Sequence, residues 1–457
     1  MSTEPTPEPG EGLRVPWSRS QGTVARRLLQ PLQSFLQAEA SSAVLLLGAA
    51  VLAIAWANSP WNDAYEDLWR TGLTVRVGGW VLREDLRHVV NDGLMALFFL
   101  VVGLEIKREF LTGELREPKA AAVPVVAALG GMVVPALIYL ALNAGGEGSR
   151  GWGIPMATDI AFALGVLTLA ARSAPASLKP FLLTLAIVDD IGAIVVIAIF
   201  YSGGVEMGPL VVAAGVTGSI IVLHRLDVRA AVVYVVLGVA LWFAFFEAGI
   251  HPTIAGVILG LVTPAAPFQR PRAVSAEAVR TAENTVDHPD PPDADAPQWL
   301  RLATLSREAV SPLARAEAAL HPWTSYLVIP LFAFANAGVR LSAEALRDAT
   351  TSPVTLGLVL GLVVGKILGI MLASAIAVRT GVGRLPAGCG WRHMVGMSAV
   401  AGIGFTVSLF IAELAFEQPR LGAEAKVGIF AASLLAGVIG YGVLRSGRAL
   451  DRGGSAG

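Results

Sequence analysis

Apolar stretches separated by short polar segments run along almost the whole chain. Most of them approach the length of about 20 residues that a helix needs to cross a bilayer. Backbone groups in lipid must be hydrogen-bonded within the chain, so stretches this apolar predict helices. Twelve of them lie near residues 41–58, 88–105, 120–143, 154–172, 180–201, 208–224, 229–247, 250–264, 323–339, 355–378, 392–415 and 424–444. The pattern predicts an all-α polytopic membrane protein with about twelve transmembrane helices.

Polar segments divide this array of helices into parts. Residues 1–37 form a Pro/Glu-rich tail that we expect to be disordered, and residues 447–457 form a second tail. Residues 265–322 form a linker between helices one to eight, within 38–264, and helices nine to twelve, within 323–446.

Two segments outside the helices have patterns of their own. Residues 265–305 contain VDHPDPPDADAP and scattered arginines, and we expect this stretch to be disordered. Residues 73–82 (LTVRVGGWVL) alternate around Gly78 and Gly79, which predicts a β-hairpin. The hairpin is either an isolated surface feature or a sheet edge that pairs with a second copy, which would make the protein a homodimer.

Composition and charge place most of the chain in lipid. Hydrophobic residues make up 54% and charged residues 15% of the chain, with a mean hydropathy of +0.63, whereas a soluble domain carries about 25% charged residues. With the N-terminus inside, 24 of the 34 lysines and arginines fall on the inner side and nine on the outer side. The positive-inside rule then predicts that both tails and the linker are cytoplasmic and that the hairpin is extracytoplasmic.

Two classes of feature are missing from the sequence. The single cysteine excludes an internal disulfide framework, and there is no GxxxxGKS or GxxxxGKT motif for a nucleotide. Because of its apolar composition, we expect membrane lipid around the protein. We expect neither a nucleotide nor a nucleic acid as a partner.

Two adjacent aspartates lie in the apolar stretch LAIVDDIGAIVVIAIFY (185–201). A charge at the bilayer centre costs about 2.5–3.5 kcal/mol or more, so such residues mark ion paths or buried pairs. Because neighbouring helical residues point about 100° apart, Asp189 and Asp190 can both border one cavity. Their oxygens would bind Na⁺ and protons in competition, which is sufficient for exchange of a cation for protons. The alternative is a polar patch that is hydrogen-bonded to neighbouring helices.

A third aspartate stands where a predicted helix is weak. In GIPMATDIAFALGV (153–166), Pro155, Thr158 and Gly165 all disfavour a regular helix. A break near Thr158 and Asp159 would expose half-helix ends inside the membrane, and Asp159 could balance a positive N-terminal end. The alternative is a helix N-cap at the membrane surface.

A second weak point lies in VAGIGFTVSLF (400–410), where Gly402, Gly404 and Thr406 interrupt an apolar run. The two weak points fall in the middle members of segments three to five and ten to twelve. Interrupted helices in corresponding positions of two halves indicate a transporter binding site. The alternative is close helix packing through small residues.

The only lysine deep in an apolar run is Lys366, in GLVLGLVVGKILGIMLASAIAV. It is too far from the membrane surface to reach water easily, so it should pair with a carboxylate or be uncharged. A structural pair and a proton carrier are both compatible with this position.

Other ionisable residues lie nearer the predicted helix ends. Asp92 lies near the outer end of its helix, where it can face water, and His251 is either a helix cap or a sensor. Glu105 and Glu109 close the same helix as Asp92, beside Lys107 and Arg108, in a pattern that is also typical of a solvated ion-pair cluster.

These motifs together resemble the NhaA family of bacterial sodium/proton antiporters. The resemblance runs from about residue 38 to about 446, apart from the linker. The most specific segments are ATDIAFALGVL, LAIVDDIGAIVVIAIFY, LFAFANAG (331–338), GKILGI (365–370) and GIGFT (402–406). The resemblance implies inverted-topology repeats with two interrupted helices, for which this family is a known example. It also implies electrogenic exchange of Na⁺ or Li⁺ for protons across the bacterial plasma membrane, with no cofactor.

The resemblance assigns roles to individual residues. Asp189 and Asp190 would bind the metal cation, Na⁺, and the protons, while Asp159, with Thr158 beside it, would compensate the helix ends. Lys366 would pair with an aspartate and carry a proton. Asp92 would lie on the ion path.

The resemblance also ties a group of residues to the pH response. Its members are Glu105, Glu109, His251 and Glu317 (in ARAEAALHPW). The chain departs from some relatives at Ala318, where they have a histidine, and in its longer linker.

Two other classes of membrane protein use similar residues. An intramembrane aspartyl protease needs two carboxylates on facing helices and a GxGD motif, which this chain lacks. A retinal-binding proton pump would use Lys366 as a Schiff base, but it would have seven helices. The sequence therefore favours an antiporter that alternates access around Asp189 and Asp190.

Overall fold

Apolar helices form most of the structure. The computed structural model describes residues 41–77, 80–170, 175–285 and 295–446. In chain order the α-helices are α1 (Ser41–Ala57), α2 (Asn62–Trp69), α3 (Leu86–Thr112), α4 (Pro118–Asn143), α5 (Ile160–Ala170), α6 (Leu178–Phe200), α7 (Met207–Arg225), α8 (Ala231–Glu247), α9 (Thr253–Val262), α10 (Pro271–Asn284), α11 (Ala296–Glu308), α12 (Pro312–Asn336), α13 (Ala343–Thr351), α14 (Pro353–Arg379), α15 (Trp391–Val400), α16 (Phe405–Ala415) and α17 (Pro419–Arg445).

Seven helices within the described residues are long and apolar enough to cross a membrane, namely α3, α4, α6, α7, α12, α14 and α17. Counting each of three bent helix pairs as one span gives up to ten, and the apolar helices α8 and α9 are shorter. This confirms a multi-pass helical protein. The number twelve stays a prediction, and the predicted tails 1–37 and 447–457 lie outside the described residues.

Two of the bent pairs are the predicted interrupted helices. A 3-10 helix, Glu147–Met156, is followed by three non-helical residues and α5, with a bend of 47°. Helix α15 is followed by residues 401–404 and α16, with a bend of 48°. The third pair, α1 and α2, turns by 118°, so α2 folds back at the end of α1.

Two short strands precede α3. Strands β1 (Gly72–Val77) and β2 (Trp80–Asp85) pair antiparallel, with Gly72 opposite Asp85 and Val77 opposite Trp80. The two glycines of the predicted turn lie outside the described residues. The Asp85 carboxylate accepts a hydrogen bond from the His88 backbone N–H at 2.8 Å and so caps the start of α3.

The predicted disorder of residues 265–305 is wrong for most of that stretch. It contains α10 and most of the contacting helix α11, whose inner faces bury Val274 and Leu302. Alanine-rich segments such as AVSAEAVRTAEN form helices readily, and the neighbouring proline-rich and acidic composition concealed this propensity. Residues 286–294, with most of VDHPDPPDADAP, lie outside the described residues.

Contacts of Phe268, before α10, and Glu308, at the end of α11, join these linker helices to the segment between α7 and α8. Arg229, between α7 and α8, donates to the Glu308 carboxylate at 2.6 Å and lies 4.9 Å from the ring centre of Phe268. This hydrogen bond lowers the pKa of Glu308, so the ion pair persists to a lower pH than the ordinary pKa of a glutamate would allow. Helix α12 starts at Pro312, where the Ser311 hydroxyl caps it, and so it begins before the predicted start of the ninth span at residue 323, which stays a prediction.

Close backbone contacts set the position of α14, which carries Lys366. A Cβ atom on Gly369 would lie 2.1 Å from the Gly130 carbonyl oxygen, and one on Gly130 would lie 2.3 Å from the Gly369 carbonyl oxygen. Small residues let membrane helices approach closely, so α4 and α14 pack backbone to backbone.

Three long helices contain a π-helical turn that the apolar pattern did not predict. These turns are Val89–Leu94 in α3, Thr324–Val328 in α12 and Leu360–Gly365 in α14. The first contains Asp92, and the last directly precedes Lys366. Such turns are frequent at functional sites because they redirect the side chains that follow.

Candidate functional site

The two helix interruptions lie against each other inside the protein. The backbone N–H of Asp159 donates to the Ile403 carbonyl at 2.6 Å. The Thr158 hydroxyl lies 2.8 Å from the Ala401 carbonyl oxygen. Non-helical backbone at membrane depth needs such partners, and each break supplies them for the other.

One carboxylate caps the second halves of both interrupted helices. Asp159 Oδ1 accepts from the Phe162 backbone N–H of α5 at 3.0 Å. Its Oδ2 accepts from the backbone N–H of Thr406 in α16 at 3.0 Å and from the Thr406 hydroxyl at 2.6 Å. These contacts make Asp159 an N-cap. Since the residue is only 2% exposed, this cap lies inside the protein. Two positive helix ends thus share one negative group.

Lys366 lies at a C-terminal helix end, that of the 3-10 helix Glu147–Met156, whereas Asp159 lies at two N-terminal ends. Its Nζ is 2.6 Å from Asp189 Oδ2, and neither side chain is exposed. Nζ also donates to the Met156 carbonyl at 2.6 Å and to Thr158 Oγ1 at 3.0 Å. All three ammonium donors are therefore used, one of them on a carbonyl at the C-terminal end of the 3-10 helix.

The Asp189 carboxylate has incomplete hydrogen bonding. The Thr158 hydroxyl lies 2.8 Å from Asp189 Oδ2 and equally close to the Ala401 carbonyl, but its single proton serves only one of them. Among the described residues, Asp189 Oδ1 has no hydrogen-bond partner although it is buried. A buried acceptor without a partner costs about 1–3 kcal/mol, and more when charged, so this oxygen is suited to receive a cation or a water molecule.

Asp190 faces a different environment from its neighbour. It lines a cavity of about 320 Å³, whereas Asp189 is not among the described residues that line it. The 100° between successive helical residues turns one carboxylate toward Lys366 and the other toward the cavity. Both carboxylates were expected to border one cavity, but of the two only Asp190 is among the described residues that line it. Thr158 lies between the two environments, because it lines the cavity and contacts Asp189.

The cavity leads toward the end of α3 that is farthest from the β-hairpin. Its polar lining residues include Asp159, Asp190, Thr158, Thr406, Glu105, Arg108, Glu109, Lys179 and His321. The predicted residues Glu105 and Glu109 are thus on the path to Asp190. Glu317 reaches this path through an ion pair with Arg108.

His321 is a cavity residue that the sequence reasoning missed. It lies four residues after Glu317 in α12, and residues four apart share a helix face, so the spacing was a usable signal.

Asp92 and His251 pair with each other away from this cavity. Asp92 Oδ1 lies 3.5 Å from His251 Nε2, and the side chains are 18% and 9% exposed. His251 Nδ1 is 2.7 Å from the Thr253 hydroxyl at the start of α9. Neither residue is among the described residues that line the Asp190 cavity, so the structure does not bring them into the group of acids at its mouth.

A pair of amide side chains beside Asp92 was also missed. Asn91 and Asn336 exchange hydrogen bonds through their side chains at 2.7 and 3.3 Å, and Asn336 is fully buried. A buried asparagine was visible in the apolar LFAFANAG, but its partner lies 245 residues away in the chain.

Interrupted spans that meet at a buried charged pair, with one carboxylate open to a cavity, are features of secondary ion transporters. The adjacent acids on α6 do not suit an aspartyl protease, whose acids come from facing helices. A family model described as Na⁺/H⁺ antiporter 1 matches residues 33–444, and the chain belongs to this family. The expected resemblance is thereby confirmed.

Curated relatives match over nearly the full length. A protein of Sorangium cellulosum named Na⁺/H⁺ antiporter NhaA 2 is 46% identical over 428 residues, which is 92% of this chain and 91% of that protein. The NhaA of an Anaeromyxobacter species is 48% identical over 92% of each chain. The NhaA 3 of Frankia alni is 45% identical over 96% of this chain and 92% of its own.

A solved structure shares the fold. The sodium proton antiporter MjNhaP1 from Methanocaldococcus jannaschii aligns with a TM-score of 0.50 at 13% identity, covering 88% of this chain and 92% of that one.

Proposed function

We propose that this chain exchanges Na⁺ or Li⁺ for protons across the bacterial plasma membrane, with Asp189 and Asp190 as the exchange site. The observation that carries this proposal is the unequal environment of the two acids. Asp190 borders the cavity, while Asp189 is held by Lys366 and keeps one free oxygen.

The contacts suggest the order of events. A cation that reaches the inner end of the cavity contacts Asp190 and the Thr158 hydroxyl, and Asp189 lies directly behind that hydroxyl. Binding of the cation by both carboxylates would neutralise the charge that holds Lys366 in place. The lysine could then release a proton, and the Asp190 carboxyl could release another.

This order makes the exchange electrogenic. More protons leave the site than cations enter it, so each cycle moves net charge. The driving force would be the proton gradient, and neither a cofactor nor a nucleotide is needed.

Before Lys366 releases its proton, charged side chains stabilise the helix ends at the site. Asp159 balances two positive N-terminal ends, while Lys366 balances the C-terminal carbonyl of Met156. We place the two interrupted spans in one bundle of an inverted-repeat fold, which rocks against the other helices. Both termini would be cytoplasmic, and the hairpin edge would pair with a second copy in a homodimer.

A transport assay in everted vesicles tests this function. Sodium addition should dissipate a preformed pH gradient in wild type, and Asp189→Asn and Asp190→Asn should each abolish this response. A matched control is Asp63→Asn, because Asp63 is 88% exposed at the start of α2. Unchanged exchange in both site variants would refute the proposal.

Charge movement tests the role of Lys366 separately. If Lys366→Ala keeps sodium-driven proton release but moves no net charge, the lysine carries a proton. If the variant still moves net charge, the lysine has a structural role only.

A further inference from the structure

A polar cavity opens on the side of the protein that carries the β-hairpin, where it is bounded by α2, α16 and α17. It has a volume of about 680 Å³. We call it the hairpin-side vestibule, and its walls include Arg70 at the end of α2, Ala412 and Glu413 of α16, Phe416 just after α16, and Lys426 of α17. The Asp190 cavity leads to the other side of the protein, so the two volumes approach the site from opposite directions.

Helix α16 connects the Asp190 cavity with the hairpin-side vestibule. Thr406 and Val407 in its first turn line the cavity, whereas Ala412 and Glu413 line the vestibule. At 1.5 Å per residue, Val407 and Ala412 are about 7.5 Å apart along the helix axis. The four residues between them, 408–411, are fully buried. On α16 the barrier between the two volumes is therefore little more than one helical turn thick.

The vestibule end of this barrier carries a carboxylate in an unfavourable place for a helix. Glu413 is the only ionisable residue of α16 and lies in its last turn, because the helix ends at Ala415. The C-terminal end of a helix carries a partial negative charge, which repels a carboxylate and attracts a cation. Glu413 and the helix end together thus form a point of attraction for cations on the vestibule side of the barrier.

The ammonium group of Lys426 occupies this point. Its Nζ lies 2.7 Å from Glu413 Oε1, and the two side chains are 12% and 23% exposed. A lysine ammonium is a compact charge on a flexible four-carbon stem, so it can leave the carboxylate without a movement of the backbone. By contrast, Arg70 at the rim of the vestibule is 74% exposed and lies 3.7 Å from Glu66.

We propose that Lys426 is a tethered cation on the hairpin-side part of the ion path, and that Na⁺ arriving from this side competes with it for the Glu413 carboxylate. This role rests on the proposed function, because it requires that the barrier on α16 opens for Na⁺. Loss of the ammonium frees the carboxylate for Na⁺, whereas loss of the carboxylate leaves an unpaired ammonium that repels Na⁺. The two partners should therefore respond in opposite directions when each is neutralised.

Sodium-driven proton release from vesicles of both orientations tests this role. Right-side-out vesicles with an acidic interior expose the hairpin side to added Na⁺, and everted vesicles expose the other side. In right-side-out vesicles, the half-saturating Na⁺ concentration should fall about threefold in Lys426→Gln and rise about threefold in Glu413→Gln. In everted vesicles, both variants should keep the wild-type value.

Two control variants separate this role from general effects of charge and folding. Arg70→Gln removes a positive charge from the same vestibule at its rim and should leave the half-saturating concentration unchanged. Lys426→Arg keeps the charge beside Glu413 and should also keep the wild-type value. A fall in Arg70→Gln equal to that in Lys426→Gln would assign the effect to overall charge and overturn the role of Lys426.

A purely structural ion pair between α16 and α17 gives a different result. It would shift Lys426→Gln and Glu413→Gln in the same direction and in both kinds of vesicle, which would overturn the proposal. If wild type exchanges Na⁺ for protons and neither variant differs from it, the role of Lys426 alone is refuted. If wild type releases no protons on addition of Na⁺ in either orientation, the proposed function fails, and the role of Lys426 fails with it.

Discussion

At the scale of single residues, each of two buried charged side chains in the site lies against a helix end of the opposite charge. Lys366 faces a carboxylate and a carbonyl, and Asp159 faces two N-terminal ends. The sequence predicted that Lys366 needs a partner, because its flanks are apolar. It could not predict Asp189 as that partner, since they are 177 residues apart and only the fold brings them together.

The Lys366–Asp189 pair should be far more important for stability than an exposed pair. Removing one partner of a buried ion pair costs about 3–5 kcal/mol, so Lys366→Ala should lower the unfolding temperature strongly. Adding Asp189→Asn should recover part of the loss. The control Arg340→Ala breaks an exposed pair with Asp63 and should cost about 0–1 kcal/mol. Thermal unfolding in detergent measures all four proteins, and equal shifts for the two single variants would contradict this expectation.

Asp159 should behave as a double cap. Asp159→Ala removes the acceptor at two helix N-termini, whereas Ser311→Ala removes one ordinary cap of α12. One cap is worth about 0.5–2 kcal/mol, so the first variant should unfold at a clearly lower temperature than the second and should lose exchange. If both variants lose the same stability, Asp159 caps only one helix.

At the scale of elements, the breaks and the linker show what a sequence pattern can reveal. Pro155, Gly402 and Gly404 predicted the two interruptions, because proline and glycine disfavour a helix locally. The π-helical turns were not predictable, since an extra residue in a turn leaves an apolar run equally apolar. Helices α10 and α11 were missed because charge and proline content outweighed a local helix propensity.

The contact between α4 and α14 should be intolerant of a single methyl group. Gly369→Ala places a Cβ atom against the Gly130 carbonyl, which should cost about 1–3 kcal/mol and displace Lys366, one turn away. The control Gly48→Ala meets nothing within 4 Å and should be neutral. Exchange in everted vesicles and thermal unfolding check both. Normal exchange by Gly369→Ala would show that α14 is not held by this contact.

At the scale of the whole molecule, the cavity formed by the described residues reaches the site from one side. The cavity joins Asp190 to the acids at the end of α3, on the side away from the β-hairpin. Phe410 of α16 packs against Phe99, Phe332 and His251 with ring centroids 5.3, 6.0 and 5.2 Å away. This aromatic cluster joins an interrupted helix to α3 and α12, and alternating access would require it to open.

Fixing this cluster should stop transport. Cysteines at Phe410 and Phe332, in a Cys389→Ser background, can be bridged by a short bifunctional thiol reagent. The bridge should abolish exchange if α16 moves relative to α12. The control pair is Trp56 and Phe334, whose rings are 5.9 Å apart on α1 and α12, and bridging it should leave exchange intact. Full exchange with the first bridge in place would exclude motion between α16 and α12.

The most direct measurement is the number of protons that the purified protein releases when it binds Na⁺. Calorimetric titration in buffers of different ionisation enthalpy gives this number for wild type, Asp189→Asn, Asp190→Asn and Lys366→Ala. We expect more than one proton per Na⁺ in wild type, fewer in Lys366→Ala, and no Na⁺ binding in either aspartate variant. Sodium binding by Asp190→Asn with the same proton release as wild type would contradict an exchange site at Asp189 and Asp190.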